Sequence, residues 1–367
     1  MDLRALRILI AHDWIVTWGG AERCLEQILE VVPHADVAVA VLAPHLRSLN
    51  GVTRRARETW LGKVPGARSH HRWLLPLEGL AFSLLDTASY DLIISSSHAF
   101  AKMVRPKSRA AHVCYCYTPP RYLWDLRDVY KSDARGLEKV ALTVGTGWLR
   151  TWDAASAQRV DHFVAISNHV ARRITNWYGR TSEVLYPPVS AKPVAATEQE
   201  RASFVLYLGR LVPYKRLDLA ISACELLGVR LVIAGDGPDR RRLEQLAGRN
   251  TTLLGPVSEA DAGRLLSTCG TFIYCGEEDF GIAPLEANAH GAPVVYLRRG
   301  GVAETMEPGV TGMPFDDATP EAVAHAVKAA LAVNWPRETL RLNADRFSPL
   351  RFREGFRSIL DRVLAGR

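Results

Sequence analysis

The sequence has no apolar run approaching the ~20 residues that a membrane-spanning helix needs. No Cys-x-x-Cys pair occurs among the six cysteines, Cys24, Cys114, Cys116, Cys224, Cys269 and Cys275. Scattered and mostly inside apolar runs, they read as free thiols in a reducing compartment, not as a disulfide framework. Cys114 and Cys116 alternate along an expected strand, which argues against a metal site there. The dinucleotide fingerprint Gly-x-Gly-x-x-Gly is missing. So is any Asp-x-Asp at the end of an expected strand. There is no internal repeat and no low-complexity tract. Met1-Asp2-Leu3-Arg4 leads straight into an apolar strand, so no signal peptide is expected and the location is expected to be cytoplasmic.

What remains is a chain of 367 residues, 48% hydrophobic and 23% charged, in the range of globular proteins and too long for one ordinary core. The net charge of +7 is unevenly placed. Residues 1–188 hold 24 Lys and Arg against 17 Asp and Glu, and residues 189–367 hold 22 of each, so the whole excess lies in the first half. It is densest from Thr53 to Leu75, where Arg54, Arg55, Arg57, Lys63, Arg68 and Arg72 interleave with Trp60, Leu61, Trp73 and Leu74. That pattern suits an anionic membrane surface or a lipid phosphate. It equally suits a solvated face over an ordinary apolar side. No nucleic-acid module is recognisable.

Short apolar runs alternate with helical stretches along the whole chain. Strands are expected at 7–11, 35–41, 91–95, 111–116 and 162–166, then at 204–208, 230–234, 252–254, 271–274 and 293–296. Continuous apolar strands separated by helices imply parallel sheets covered on both faces. The Pro-rich Pro187-Pro188-Val189-Ser190-Ala191-Lys192-Pro193 and the polar stretch after it mark a linker between two such domains. The expected organisation is a doubly wound α/β domain over 1–188, a second over 189–345, and a terminal helix from about 346 to 367 that returns to the first. Phe352, Phe356, Ile359, Leu360 and Val363 share one side of that helix.

Glu278-Asp279-Phe280-Gly281-Ile282-Ala283-Pro284-Leu285-Glu286 follows an expected strand and opens an expected helix. Backbone N–H groups at such a turn bind anions. Pro284 fits the first helical turn, where its missing donor costs nothing. A diphosphate on that helix end would leave Glu278 and Glu286 beside its substituents. Acidic residues also favour first helical turns through the helix dipole alone. Gly209-Arg210-Leu211-Val212-Pro213-Tyr214-Lys215-Arg216 follows another strand, and Arg210 and Lys215 could neutralise charge gathering on a leaving diphosphate. Arg216 reads better as an ordinary solvated base. In the first half, Gly19 and Gly20 open a helix after the first strand, either as an anion nest or as a tight turn. Asp13 is a base, an acceptor ligand or a cap, and His98 ends the Ser95-Ser96-Ser97 strand.

In order and spacing these elements resemble glycosyltransferase family 4, with its fold of two Rossmann-like domains facing across a cleft (GT-B). The likeness extends over Gly235-Asp236-Gly237-Pro238 and Gly301…Glu304…Gly309…Gly312. Cys114-Tyr115-Cys116-Tyr117-Thr118-Pro119-Pro120-Arg121-Tyr122 is similar to the O-antigen mannosyltransferase branch, with Tyr117 and Pro120 where that branch usually has His and Met. The resemblance implies retaining transfer of a hexose from a nucleotide sugar, GDP-mannose for this branch, with no cofactor and no metal. The acceptor would be a glycan, lipid-linked at the inner membrane face. It implies that Arg210 and Lys215 hold the diphosphate and that Glu286 holds the ribose. Glu278 and His98 would contact the donor sugar. Gly209, Phe280, Gly281, Ile282 and Ala283 would complete the donor cradle, with Gly19 and Gly20 near its phosphate. Asp13, Tyr117 and Arg121 are the acceptor-side candidates. A UDP-sugar donor with a soluble acceptor and a non-catalytic nucleotide-sugar-binding protein stay open as alternatives.

Overall fold

The computed structural model describes residues 3–70, 74–107, 109–125, 137–190 and 201–366. His71, Arg72 and Trp73 of the basic stretch and linker residues 191–200 lie outside that set. The chain divides into two compact units, Met1–Pro188 with Leu350–Arg367, and Val189–Pro349.

The first unit is a parallel sheet of β1 (Ile8–Ile15), β2 (Asp36–Leu42), β3 (Ala56–Glu58), β4 (Leu92–Ser97), β5 (Ala111–Cys116), β6 (His162–Ala165) and β7 (Ser182–Val184). Its order is β3-β2-β1-β4-β5-β6-β7. The inner strands are buried along nearly their whole length, which is why they read as unbroken apolar runs. β3 and β7 escape sequence reading because each has three residues and carries charge, Ala56-Arg57-Glu58 and Ser182-Glu183-Val184. Edge positions tolerate that, since only one side is paired.

The last helix, Pro349–Ala365, belongs to the first unit from Leu350 onward. Phe352 and Phe356 set their rings edge-on against Tyr115 of β5, at 5.5 and 6.1 Å between centroids. Its buried face is Phe352, Phe356, Ile359, Leu360 and Leu364. Leu364 replaces the expected Val363, because the i+4 series from Phe352 through Phe356 and Leu360 ends there.

The second unit is a parallel sheet of β8 (Phe204–Leu208), β9 (Arg230–Ala234), β10 (Thr251–Gly255), β11 (Thr271–Tyr274), β12 (Val294–Leu297) and β13 (Gly312–Phe315), in the order β10-β9-β8-β11-β12-β13. β13 was not foreseen. Its Gly312-Met313-Pro314-Phe315 is a poor strand sequence that an edge can still accept. Among the described residues no helix is long and apolar enough to cross a membrane.

In each sheet the chain builds outward in one direction and then returns to the other side of its first strand. The switch falls between β1 and β4 in the first unit and between β8 and β11 in the second. A crevice opens outside the carboxyl ends of the strands at such a point.

The first unit carries two fully buried histidines, His12 on β1 and His112 on β5. Burial pushes both imidazoles down to about 4, against an ordinary value of about 6.5. Between those values the unfolded chain takes up protons that the folded chain refuses, so stability is lost as pH falls through that window. Urea unfolding of this unit should be less favourable to the native state at pH 5 than at pH 7, by about 2 kcal/mol per histidine. His112→Gln should remove about half of that dependence. A flat profile from pH 7 to pH 5 would mean that both rings titrate as in water.

Candidate functional site

At the switch point of the second unit, the loop after β8 carries Gly209 to Lys215 and the loop after β11 carries Cys275 to Gly281. The Lys215 ammonium lies 3.8 Å from Glu278 Oε1 and 5.4 Å above the Tyr274 ring. Both charged side chains are mostly enclosed, and Oε1 is buried without any hydrogen bond. A buried carboxylate oxygen with unspent capacity marks a place where a donor from outside would be welcome. Tyr207 stacks beside Tyr274, at 6.4 Å between centroids, and its hydroxyl donates to the Arg210 carbonyl at 3.0 Å. The Tyr274 ring floors the Lys215 ammonium, and Tyr207 stacks beside it. Burial, then the Glu278 carboxylate, pushes both phenols upward and keeps them neutral donors.

The Glu278 loop is held from the turn after β12. The Gly301 amide donates to the Glu278 carbonyl at 2.7 Å. Phe280 is buried and meets Phe347 at 5.7 Å. Gly281 has φ +92°, and a Cβ there would fall 2.4 Å from Val302 Cγ2, so no other residue fits. It is the N-cap of the helix Ile282–Ala289 and offers no side chain to that helix's first amides, which have no partner within the helix. Glu286 lies in the same helix and is half-buried. Arg210 is exposed, whereas Arg216 is engaged with Asp218 through Nε and Nη2 at 3.0 to 3.2 Å.

At the switch point of the first unit, β1 ends beside β4. Asp13 is fully buried between them. Its Oδ2 accepts the amides of His98 and Ala99 at 2.5 and 2.9 Å, and its Oδ1 those of Phe100 and Ala101 at 2.9 and 2.6 Å. Burial pushes this carboxyl up. The neighbouring His98 and His12 and the amide donors outweigh it and hold the pKa below the ordinary value. Asp13 is thus the internal anion of a backbone nest, the geometry of the cap among its three expected roles. His98 is part-exposed, with Nδ1 3.1 Å from Asp13 Oδ2 and its ring edge-on to Trp14 at 4.6 Å.

Tyr117 is also engaged within the fold. It is buried, its hydroxyl donates to the Ala21 carbonyl at 2.9 Å and meets Ser96 Oγ at 2.9 Å, and Ser96 in turn meets His12 Nδ1 at 2.9 Å. It is a strut between β4 and the helix Gly20–Val31. Arg121 Nε donates to Asp125 at 3.2 Å, and Arg173 shares that carboxylate at 2.7 Å. Gly19 caps the helix Gly20–Val31, with its amide donating to Glu22 Oε2 at 2.9 Å. The structure thus brings together Gly209, Lys215, Glu278, Gly281, Ile282 and Ala283 in the second unit. It brings together Asp13, His98 and Tyr117 in the first. Tyr207 and Tyr274 are not among the expected site residues, and their only sequence signal is position: each stands two residues before a glycine at a strand's end. Among the described residues no three His, Cys, Asp or Glu side chains gather as a metal site would require.

The two halves match separate family models, Glycosyltransferase Family 4 over residues 18–192 and Glycosyl transferases group 1 over residues 191–347. A GDP-mannose-dependent alpha-mannosyltransferase of Mycobacterium tuberculosis is 32% identical over 35% of this chain and 39% of its own length. A GDP-mannose-dependent alpha-(1-6)-phosphatidylinositol dimannoside mannosyltransferase of the same species is 38% identical over 35% of each chain. The chain thus matches little more than a third of these curated relatives' lengths. Anabaena HepE, solved in complex with UDP-glucose, has the same fold, with a TM-score of 0.70 at 17% identity over 97% of this chain and 100% of that one. With both sheets doubly wound and residues 18 to 347 accounted for, the chain belongs to the glycosyltransferases, a family 4 half followed by a group 1 half.

Proposed function

We propose that the chain transfers a hexose from a nucleotide sugar to a glycan acceptor, with retention at the anomeric carbon and without a metal. The observation that carries this is the buried, unspent Oε1 of Glu278 beside the Lys215 ammonium, at the switch point and next to the side-chain-free N-terminus at Gly281. A diphosphate would sit on the amides of Ile282 and Ala283, with Lys215 and the exposed Arg210 as its cations. Glu278 Oε1 would then accept a hydroxyl of the donor sugar, and Glu286, one turn into the helix, the ribose hydroxyls. Gly209 and the buried Phe280 shape the walls of this cradle. Gly19 and Gly20 would serve the donor phosphate and His98 the sugar.

In the step itself the bond from the anomeric carbon to phosphate oxygen breaks with its electron pair going to the phosphate. The acceptor oxygen bonds the same face of that carbon, and the acceptor's proton passes to the leaving phosphate oxygen. No side chain need form a covalent intermediate. The protein supplies position and fixed positive charge where negative charge develops.

GDP-mannose is the favoured donor, supported by the two mycobacterial relatives whose names carry it. A UDP-sugar donor is the second reading, supported by the UDP-glucose complex of HepE. The acceptor proposed is lipid-linked, met at the inner face of an anionic membrane by a peripheral enzyme.

Calorimetric titration with GDP, UDP, ADP and TDP should rank GDP first, and UDP binding more tightly would replace the donor. Lys215→Ala should lower kcat about a hundredfold while weakening nucleotide binding much less, because developing charge is what the ammonium meets. An unchanged kcat would remove Lys215 from the step.

A further inference from the structure

Among the described residues Lys102 is the one buried lysine. It stands in the turn Ala101–Met103, next to the arc of amides that closes on Asp13. Its ammonium lies 2.5 Å from Oδ1 of Asp153, which is fully buried in the helix Leu137–Ala157. Burial pulls the Lys102 ammonium towards its neutral form, but the Asp153 carboxylate outweighs it and holds the pKa above the ordinary value. The pair is therefore ionised in the interior. Taking two charges out of water is costly, and apolar residues of similar volume often serve stability as well or better. An ionised pair in such a place calls for another use.

Its partners show that use. Four amides that converge on one carboxylate turn their carbonyls away from it, and a buried carbonyl needs a donor of its own. Ala99 is buried, and Lys102 Nζ donates to its carbonyl at 2.8 Å. That carbonyl and the Phe100 amide belong to one planar peptide group. Lys102 holds one side of the plane and Asp13 Oδ1 holds the other, at 2.9 Å. The two amides that flank His98, its own and that of Ala99, both donate to Asp13 Oδ2. The backbone that carries the His98 ring is thus pinned on both sides.

The far end of the pair is fixed as well. Asp153 Oδ2 accepts Trp124 Nε1 at 3.0 Å and the Tyr178 hydroxyl at 2.8 Å. Trp124 is stacked on Trp177, with 5.3 Å between centroids and 8° between planes, and the Arg150 guanidinium lies 4.4 Å from its ring. Asp153 is a post set among these side chains, and Lys102 is the tie from that post to Ala99.

We propose that Lys102 and Asp153 are positioning residues for His98. By holding the Ala99 carbonyl they keep residues 98–101 closed on Asp13, and so keep the imidazole in one place at the end of β4. The inference rests on the reading of His98 as a group that meets the donor sugar.

Two variants separate position from stability. Lys102→Met leaves Asp153 as a buried anion without its cation, so the thermal midpoint should fall. Lys102→Met with Asp153→Asn leaves no unpaired charge and keeps an oxygen for Trp124 and Tyr178, so most of that fall should be regained. The Ala99 carbonyl lacks its donor in both. In the double variant, hydrogen exchange over residues 98–103 should be at least about tenfold faster than in the wild type, with β1 and β8 unchanged. Nucleotide release from GDP-mannose or UDP-glucose, with water as acceptor, should lose at least about tenfold in kcat, while affinity for the nucleoside diphosphate stays within about twofold. A structural role alone would return turnover together with the midpoint. In a His98→Ala background the double substitution should cost nothing further, because the group it places is gone.

A double variant with wild-type exchange over 98–103, with wild-type kcat, or with a loss that adds in full to that of His98→Ala overturns the proposal. Full turnover in His98→Ala removes His98 from the reaction, and the positioning role falls with it. Wild-type protein that consumes neither donor sinks the transferase reading, and the exchange rates still decide whether the pair holds the arc.

Discussion

Parallel strands all leave a sheet by the same edge, and the point where the chain changes direction across the sheet opens that edge to a ligand. Both units obey this constraint. In the first it brings the end of β1 against the end of β4, and in the second the end of β8 against the end of β11. Among the candidate residues, Asp13, His98, Gly209, Lys215 and Glu278 all follow from that single geometric fact. The chemistry of the site is secondary to it, since neither a lysine nor a glutamate has special power until the fold places the two 3.8 Å apart in an enclosed crevice.

The two switch points then use their backbone amides in opposite ways. In the first unit the amides of residues 98 to 101 converge on Asp13, so the chain supplies its own anion and that nest is closed. In the second, Gly281 gives the helix Ile282–Ala289 no capping side chain, and Glu278 keeps an oxygen without a hydrogen bond. A self-satisfied nest is a rigid support. An open one beside a cation is a receptacle for a ligand's negative charge. That contrast directs the proposed diphosphate to the second unit and leaves the first to present His98 on a fixed base.

The strands inside each sheet were legible because burial on both faces leaves only apolar residues, and 111–116, 204–208, 230–234 and 271–274 fall where the sequence puts them. The edge strands were not, because one free side lets Arg57, Glu183 or Pro314 stand where a central strand would reject them. Lys215 and Glu278 could be seen because they follow apolar runs at a recognisable distance. The sequence left Asp13 open between base, acceptor ligand and cap, and gave Tyr117 no structural partner, because the groups they meet lie more than 80 residues away, in donors and acceptors of backbone that carry no sequence signature. Tyr207 and Tyr274 look like core aromatics in the sequence, and only the Lys215 ammonium above the Tyr274 ring, with Tyr207 stacked beside it, gives them another meaning.

The first unit is split by the second: Met1–Pro188 and Leu350–Arg367 enclose Val189–Pro349 in the order of synthesis. Phe352 and Phe356, the partners of Tyr115, therefore emerge from the ribosome only after every residue of the second unit has been made. The group 1 half can mature while the chain is still growing. The family 4 half must wait, with Tyr115 of β5 lacking its two phenylalanine partners, until residues 350–366 have also been made. A chain cut after residue 349 would thus hold every residue of the second unit while the first still lacked the helix whose Phe352 and Phe356 meet Tyr115.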